Sequence, residues 1–388
     1  MTAVVGIAIG LWVYCYAGYP LLLRLIAMVR APLRTAQDPA SWPLIGITIP
    51  AYNEAQSIAA TLDAVLAADY PAERRQVVVI SDASSDGTDE IVRRYAARGV
   101  ELVRQPERRG KTAAENAARA VLRGEIVVNT DASVRIHPDS IRHLIRAFTD
   151  PEVGVASSRD VSVDKMAAAS NVGESAYVGY EMGVRALETR VSGIVGASGS
   201  LFAIRSHLHR EFLPETLSRD FAAALVARLN GYRSVSVAEA ICYVPRGASL
   251  RQEYRRKVRT MARGLATLIY HRRLLNPLRY GAFAWMLASH KLARWLLPWA
   301  TLAMALALLG LAAEFTPARL IVAGAVVLVV LAAAGWYWPP ARPMPRIISL
   351  PAFTLAGIVA GLHAWLKLFS GQQAATWEPT RREVTPPA

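Results

Sequence analysis

Three long stretches of apolar residues set the first limit on how this 388-residue chain folds. Residues 3–29 contain a single charge, Arg24, and residues 296–313 and 320–338 contain none. A helix of about 20 apolar residues crosses the ~30 Å hydrocarbon core of a bilayer. The sequence therefore predicts an integral, multi-pass membrane protein rather than a soluble one.

The first stretch predicts an uncleaved transmembrane helix. It begins without a basic residue and is too apolar for too long to be a secretory leader. Arg24, Arg30 and Arg34 lie at its carboxyl end, whereas nothing basic precedes it. Since basic residues flank the cytoplasmic ends of spans, the N-terminus is expected outside and the following region in the cytoplasm.

A fourth stretch, residues 347–369, leaves the topology open. Pro351, His363 and Lys367 weaken it, so that it suits either a span or an interfacial or re-entrant helix. Basic residues place the preceding loop, 342–346, in the cytoplasm. The polar tail, with Arg381 and Arg382, then lies outside if 347–369 spans and inside if it does not.

The charge balance points to phosphate-bearing partners. The chain has 44 Lys and Arg against 30 Asp and Glu, a net charge of +14. Such proteins bind nucleic acid, anionic lipid or nucleotides. No nucleic-acid module is recognisable and much of the excess lies near the membrane segments, so membrane lipids are expected as partners and nucleic acid is not. With only Cys15 and Cys242, a disulfide framework or structural zinc site is not expected.

The middle of the chain predicts an α/β domain with a mostly parallel sheet. Short β-type runs alternate with helical patterns, and ligands of such sheets bind at the carboxyl ends of the strands. The strand runs are 45–49, 77–80, 126–129 and 153–157, and the helical patterns are 57–67, 89–97, 112–122 and 140–148. The predicted organisation is a membrane helix at 1–30, the α/β domain at 42–270, transmembrane or interfacial helices at 282–370 and a polar tail at 371–388.

Carboxylates follow three of these strands. Glu54, Asp82 and Asp131 each come directly after a β-type run. Turn and capping chemistry is an equally good reading of Asp86 and Thr88, which flank a glycine. Ordinary turn chemistry does not explain why three successive strands end in the same way.

Five motifs in series resemble the family-2 glycosyltransferases of the GT-A fold, and in particular their bacterial, membrane-anchored members. The resemblance covers roughly residues 45–260. The motifs are PAYNE at 50–54, SDASSDGT at 81–88, RGK at 109–111, GEI at 124–126 and DAS at 131–133.

The resemblance implies a nucleotide-sugar site. Lys111 would face the diphosphate, although a solvated surface lysine remains an alternative. A P-loop is excluded because position 105 is Gln rather than Gly. The other implied nucleotide-sugar ligands are Pro50, Ala51, Tyr52, Glu54, Asp82 and Asp131.

Asp131 matches the first carboxylate of the family's Asp-x-Asp metal motif, whereas the second position is Ser133. The implied cofactor is Mg²⁺ or Mn²⁺, held by Asp131 and Ser133 and bridging to the diphosphate.

Asp220 is the implied general base, and a helix cap or an ion-paired carboxylate is the alternative role. The family has an acidic pair here, and its first position is Arg219 in this chain. Gly199 and Ser200 resemble the loop that lines the acceptor side.

Arg255, Arg256 and Arg259 lie where processive synthases of the family carry Gln-x-x-Arg-Trp. Two registers are open, aligned on Arg256 or on Gln252, and neither supplies the tryptophan. Two interpretations of these arginines are equally good: a site for a diphosphate or lipid phosphate, and a juxtamembrane cluster that binds anionic lipid.

These features predict an inverting glycosyltransferase of the bacterial inner membrane with a cytoplasmic catalytic domain. It would transfer sugar from a nucleotide sugar, most simply a UDP-sugar, to a lipid-linked or saccharide acceptor in envelope polysaccharide or glycolipid assembly, with other proteins of that assembly as partners. The alternatives are a processive synthase that extrudes its polymer and a non-catalytic membrane scaffold.

Overall fold

The computed structural model describes residues 1–30, 37–163, 172–245, 249–339, 342, 344–372 and 375–376. Arg34, Arg381 and Arg382 lie outside these residues, as does most of the tail.

One eight-stranded sheet contains every described strand, in the order β3-β2-β1-β4-β7-β6-β8-β5. Strands β1 to β4 pair in parallel, β7 pairs antiparallel with both β4 and β6, β6 and β8 are parallel, and β5 is antiparallel to β8. The strands are β1 (Ile45–Ala51), β2 (Arg75–Ser81), β3 (Val100–Arg104), β4 (Ile126–Thr130), β5 (Arg135–Ile136), β6 (Val153–Val163), β7 (Leu201–Arg205) and β8 (Arg233–Pro245).

Helices lie before, between and after these strands in the sequence. They are α1 (Thr2–Val13), α2 (Tyr19–Met28), α3 (Ile58–Leu66), α4 (Thr88–Arg93), α5 (Lys111–Ala118), α6 (Ser140–Arg146), α7 (Val172–Val191), α8 (Ser206–His209), α9 (Arg219–Leu229), α10 (Leu250–Tyr270), α11 (Pro277–Leu287), α12 (Arg294–Ala312), α13 (Thr316–Trp336) and α14 (Arg346–Phe369).

The predicted α/β class is confirmed, with a mixed rather than a purely parallel sheet. β1 and β4 read as continuous apolar runs because both faces of the sheet are covered, as Val127 and Val128 show: they are adjacent in β4, point to opposite faces and are both buried. The sequence interpretation did not include β3, β5, β7 and β8, and it ended β6 at residue 157. The antiparallel β7 enters the sheet beside β4, which brings the loop before it, residues 196–200, to the carboxyl end of β4.

The chain forms two compact units. The sheet unit comprises Arg30–Val163, Val178–Arg246 and Ala374–Ala388, and the helical unit comprises Met1–Val29, Asp164–Tyr177 and Gly247–Gln373. Helix α10, which the sequence interpretation assigned to the α/β domain, thus groups with the apolar helices.

Among the residues that the structure describes, the helical unit contains four helical segments that are long and apolar enough to cross a membrane: Thr2–Met28, Pro277–Ala312, Thr316–Trp336 and Arg346–Phe369. Polar side chains join them at a few points. The indole of Trp12 donates to Thr301 Oγ1 at 3.0 Å, and that of Trp285 donates to the hydroxyl of Tyr14 at 3.0 Å. In a bilayer such groups need partners inside the protein because lipid offers none.

Candidate functional site

Two loops interlock where β1 and β2 end side by side, since Ala51 pairs with Ser81 in the register. The amide of Ser85 donates to Asn53 Oδ1 at 2.9 Å, and the amide of Glu54 donates to Thr88 Oγ1 at 2.9 Å. We call residues 51–55 and 82–88 the interlocked loops.

Asp86 fastens the interlocked loops. One of its oxygens accepts from the amide of Ala55 at 3.0 Å, and the other accepts from the amide of Thr88 at 3.1 Å and from the Thr88 hydroxyl. Partial burial disfavours its charged form, but these hydrogen bonds outweigh burial and lower the pKa of Asp86. The turn-and-cap reading of Asp86 therefore describes what its carboxylate does in this structure.

Backbone strain marks both loops. Asn53 and Ala83 have positive φ angles of 52° and 58°. Asparagine tolerates this region, whereas alanine has no side-chain compensation there. Strained residues of this kind persist where the surrounding structure fixes them, often at functional sites.

The other implied nucleotide ligands lie in or beside the interlocked loops. Pro50 and Ala51 are buried at the end of β1, and Glu54 accepts from the Ser57 hydroxyl at 2.6 Å. The guanidinium of Arg108 lies 3.9 Å from the centre of the Tyr52 ring. At this distance the guanidinium stacks directly on the ring in a cation–π contact and covers one of its faces.

Asp82 is fully buried, and its carboxylate organises the segment that follows β3. Its two oxygens accept from the amides of Arg109 and Gly110, each at 2.8 Å. Gly110 has a φ of 101°, which a residue with a side chain rarely adopts. Asp82 thus fixes the backbone immediately before Lys111, the first residue of α5.

Lys111 lies at the centre of the site. Its ammonium donates to Asp131 Oδ1 at 2.6 Å and to the carbonyl oxygen of Gly199 at 3.1 Å. Burial disfavours its charge, but Asp131, Glu115 and Asp220 outweigh burial and raise its pKa, so Lys111 is a cation throughout the physiological range. The surface-lysine alternative does not describe this side chain, which is about one quarter exposed (26%).

Asp220 closes the other side of the site. It lies in the first turn of α9, where it accepts from the hydroxyl of the N-cap residue Ser218. A Cβ placed on Gly199 would lie 2.8 Å from Asp220 Oδ2, so that only glycine allows the loop to approach so closely. The amide of Asp131 donates to the carbonyl oxygen of Ser200 at 3.1 Å, which ties the same loop to the end of β4.

The structure therefore brings Lys111, Asp131, Gly199, Ser200 and Asp220 together from four separate segments. Glu115 and Arg219 complete this charged group, with Arg219 Nε 3.6 Å from Glu115 Oε2. We call Lys111, Glu115, Asp131, Arg219 and Asp220 the charge cluster.

Metal ligation rests on few protein groups. Among the described residues, no three His, Cys, Asp or Glu side chains lie close enough together to hold an ion alone. Asp131 and Ser133 follow β4 in a turn at the edge of the charge cluster. One carboxylate and a hydroxyl suit a hard cation such as Mg²⁺ that takes its remaining ligands from water and substrate phosphates.

Arg255, Arg256 and Arg259 lie on α10 in the helical unit. The Arg256 guanidinium forms two hydrogen bonds to the Glu253 carboxylate, at 2.8 and 2.7 Å. Their role toward a phosphate therefore stays a prediction.

Sequence reasoning missed Asp160. Its carboxylate accepts from the hydroxyl of Ser198, at 2.8 and 2.6 Å, and lies 3.4 Å from that of Ser200. It thereby supports the loop that carries Gly199. A longer reading of β6, beyond residue 157, would have been the only signal for it.

The chain is similar to several known proteins. Residues 47–210 match the family model described as Glycosyl transferase family 2. The chain is 29% identical over 140 residues to glycosyltransferase AglE of Haloferax volcanii, covering 32% of this chain and 46% of that protein. It is 36% identical over 108 residues to the undecaprenyl-phosphate 4-deoxy-4-formamido-L-arabinose transferase of Aeromonas hydrophila, covering 27% and 33%. The matched regions thus span less than half of these curated relatives.

A solved structure resembles far more of the chain. It is the mannosyltransferase PcManGT of Pyrobaculum calidifontis in complex with GDP-Man and Mn²⁺, with a TM-score of 0.71 and 26% identity. The likeness covers 95% of this chain and 99% of that one.

Proposed function

We propose that the protein is a membrane glycosyltransferase that uses a nucleotide sugar, because residues 47–210 match the model of glycosyl transferase family 2 and the sheet has the GT-A fold. One observation carries the proposal. Lys111, Asp131 and Asp220, from three separate segments, converge at the carboxyl edge of the sheet, where ligands of such folds bind.

Sugar transfer requires charge neutralisation on the leaving diphosphate. Lys111 is held as a cation with its ammonium directed at Asp131, and it would face the diphosphate oxygens. Asp131 and Ser133 would hold Mg²⁺ or Mn²⁺, which supplies Lewis-acid assistance to the leaving group when bound.

Asp220 would act as the general base. The acceptor oxygen forms a bond to the anomeric carbon as the bond from that carbon to the diphosphate breaks. The electron pair leaves with the diphosphate. Where the acceptor is a saccharide hydroxyl, its proton passes to the Asp220 carboxylate, whereas an ionised lipid phosphate would attack without losing a proton. A single displacement of this kind inverts the anomeric configuration. Gly199 and Ser200 would line the acceptor side, since their loop abuts Asp220.

The donor and acceptor are proposed by class. Pro50, Ala51, Tyr52, Glu54 and Asp82 would bind the nucleoside, and we propose a UDP-sugar as donor. The solved mannosyltransferase holds GDP-Man, which makes GDP-sugars the second donor class to test. A lipid-linked acceptor is proposed because one relative is named for undecaprenyl phosphate, a polyprenyl lipid, and because four helices suit a membrane. The proposed location is the inner leaflet of the bacterial plasma membrane.

The test is nucleoside diphosphate release by the full chain in detergent or nanodiscs. UDP- and GDP-sugars are supplied with a polyprenyl phosphate or membrane lipid extract, and with Mn²⁺, Mg²⁺ or EDTA. We expect release from one donor class, loss in EDTA and a loss of about 10²- to 10⁴-fold in Asp220→Asn. Asp131→Asn is expected to lose metal dependence together with activity.

Asp63→Asn provides the matched control. Asp63 is a half-exposed carboxylate, paired with Arg98 at 2.6 Å away from the charge cluster, and its loss should leave the rate unchanged. Absence of release from every donor would overturn the proposal in favour of a scaffold. A long polymer product would instead favour the processive alternative.

A further inference from the structure

Arg219 stands where the resemblance implies an acidic residue, and the structure gives this arginine a specific environment. Its Nη1 donates to the carbonyl oxygen of His209 at 3.2 Å, and its Nη2 donates to Asn116 Oδ1. Its Nε lies 3.6 Å from Glu115 Oε2. Glu115 and Asn116 both belong to α5, the helix that begins at Lys111.

The Arg219–Glu115 pair is almost completely removed from solvent. Its side chains are 7% and 1% exposed. Burial raises the pKa of Glu115, against the opposing attraction of Lys111 and Arg219. A buried charge is costly unless it is paired, so each partner requires the other.

Other hydrogen bonds tie α5 to the segment that leads into Arg219. Thr112 donates from its hydroxyl to the carbonyl oxygen of Leu217 at 2.8 Å. The Asn116 amide donates to the carbonyl oxygen of Leu213 at 2.8 Å. Thr112, Glu115 and Asn116 thus bind the segment around Arg219 from neighbouring positions on α5. Together these contacts join two segments that lie about 100 residues apart in the sequence.

These contacts connect the segments that carry Lys111 and Asp220. Lys111 begins α5 and Asp220 directly follows Arg219, so the Arg219 contacts link the two groups through one turn of α5 on one side and through adjacent residues of α9 on the other. We propose that Arg219 is a positioning residue that, through Glu115 and Asn116, holds the base Asp220 in register with Lys111. The proposal rests on the proposed glycosyl transfer and assigns this chain's departure from the acidic pair a function.

The test compares Arg219→Met, Glu115→Gln and the double variant Glu115→Gln/Arg219→Met. Arg219→Met leaves Glu115 buried and unpaired, and this variant alone could fail to fold. The double variant removes both charges and keeps similar volumes, so it is expected to fold. A misplacement of about 1 Å costs about 10²-fold in rate. We therefore expect kcat of the double variant to fall about 10²-fold, with donor KM and nucleoside diphosphate affinity within about 2-fold of wild type.

Arg233→Met is the control for a structural effect. Arg233 is also mostly buried and paired, with Asp150, but it lies at the start of β8 away from the charge cluster. It should reduce thermal stability without the selective loss of kcat, and Arg219→Lys should recover part of the rate. A folded double variant with wild-type kcat would overturn the positioning role. An inactive wild-type protein, by contrast, would count against the proposed function itself.

A second observation concerns the carboxyl-terminal tail. Ala375 and Thr376 lie against Gly110 of the sheet unit, and a Cβ placed on Gly110 would overlap the carbonyl oxygen of Ala375. The chain therefore leaves the sheet unit after Arg246 and returns to it by Ala374, with three helical segments of membrane-spanning length between. A return to the same side of a bilayer requires an even number of crossings.

Helix α14 is the one of these three segments that packs extensively on α10, and it also packs on α12 and α13. It contacts α10, which carries the sequence RQEYRRKVR at 251–259. The Lys257 ammonium lies 3.4 Å from the centre of the Phe353 ring, and the Tyr254 hydroxyl lies 3.0 Å from His363 Nδ1. A helix as charged as α10 belongs at the membrane surface rather than in hydrocarbon.

We infer that α14 lies at the interface beside α10 without crossing, and that the tail shares the compartment of the sheet unit. The test is labelling by a membrane-impermeant maleimide in sealed vesicles of known orientation. Single cysteines are placed at Ala388, at Glu107 in the sheet unit and at Glu314 between α12 and α13, in a Cys15→Ser/Cys242→Ser background. Ala388→Cys is expected to label with Glu107→Cys. Labelling together with Glu314→Cys would overturn the inference.

Discussion

The interlocked loops and the charge cluster lie at the same edge of the sheet, but their side chains are used differently. In the interlocked loops, Asn53, Asp86 and Thr88 direct their polar atoms mainly at each other's backbone. In the charge cluster, ionised groups from distant segments face one another, as Lys111 and Asp131 do at 2.6 Å.

The two regions therefore have different roles: one fixes the conformation of the loops, and the other supplies the charges. Hydrogen bonds between neighbouring loops fix the conformation of those loops and contribute to stability, whereas convergent charges act on a bound substrate. Substitutions of Lys111, Asp131 and Asp220 should therefore change rate more than stability, and substitutions in the interlocked loops should do the reverse.

The largest effect is expected from Lys111→Met. The substitution removes the cation opposite Asp131 and near Glu115 and Asp220, so the developing charge on the diphosphate is no longer offset. Loss of one preorganised electrostatic contact costs about 10²- to 10³-fold in kcat. Steady-state nucleoside diphosphate release measures this loss.

Arg123→Met is the control for Lys111→Met. Arg123 pairs with Glu101 at 2.9 Å on the exposed surface of the sheet unit. Its loss should leave kcat unchanged, since exposed ion pairs contribute little. A Lys111→Met variant as active as Arg123→Met would remove the basis for treating the charge cluster as catalytic.

The sequence predicted the strand ends well because local patterns determine them. The apolar run before PAYNE at 50–54 ends at the edge of the sheet, and the motif after β2 lies beside it. The clustering of Lys111 with Asp131 and Asp220 followed from the family resemblance, not from spacing in the sequence.

Long-range pairings escaped the sequence interpretation. Nothing local to Glu115 marks it as the partner of Arg219, more than 100 residues away, because helix periodicity reports burial and not the identity of the neighbour. Likewise β8 mixes polar and apolar residues, so that alternation alone does not distinguish it from a loop.

A second prediction addresses the interlocked loops through Asp86→Asn. The amide keeps the shape but removes the charge that accepts from Ala55 and Thr88. Hydrogen bonds to charged groups contribute about 1.5–3 kcal/mol, so the free energy of unfolding should fall by about that much. We expect a several-fold rise in donor KM with kcat within about 2-fold of wild type, measured with thermal unfolding of the same samples.

Asp63→Asn again serves as the matched control, because its carboxylate bonds to side chains at the surface. It should shift neither KM nor the unfolding temperature appreciably. A fall in kcat for Asp86→Asn as large as that for Lys111→Met would erase the distinction between the two regions.

The smallest expected effect concerns pH and the buried His209. Burial, together with Arg219 and Arg119, lowers the pKa of His209 well below its usual 6.5, and its Nε2 lies 3.2 Å from Asn129 Oδ1. The folded protein thus keeps this imidazole neutral, whereas the unfolded chain binds a proton below pH 6.5. Stability should therefore fall as pH drops below about 6.5, by up to about 1.4 kcal/mol per pH unit from this residue.

The unfolding temperature at pH 7.5 and at pH 5.5 tests this contribution. In His209→Gln, which retains a donor for Asn129, the difference between the two pH values should shrink by about 2–4 °C for each kcal/mol removed. His207→Gln, at an exposed position two residues away, should behave as wild type. An unchanged pH difference in His209→Gln would mean that the buried neutral imidazole contributes nothing to the pH dependence.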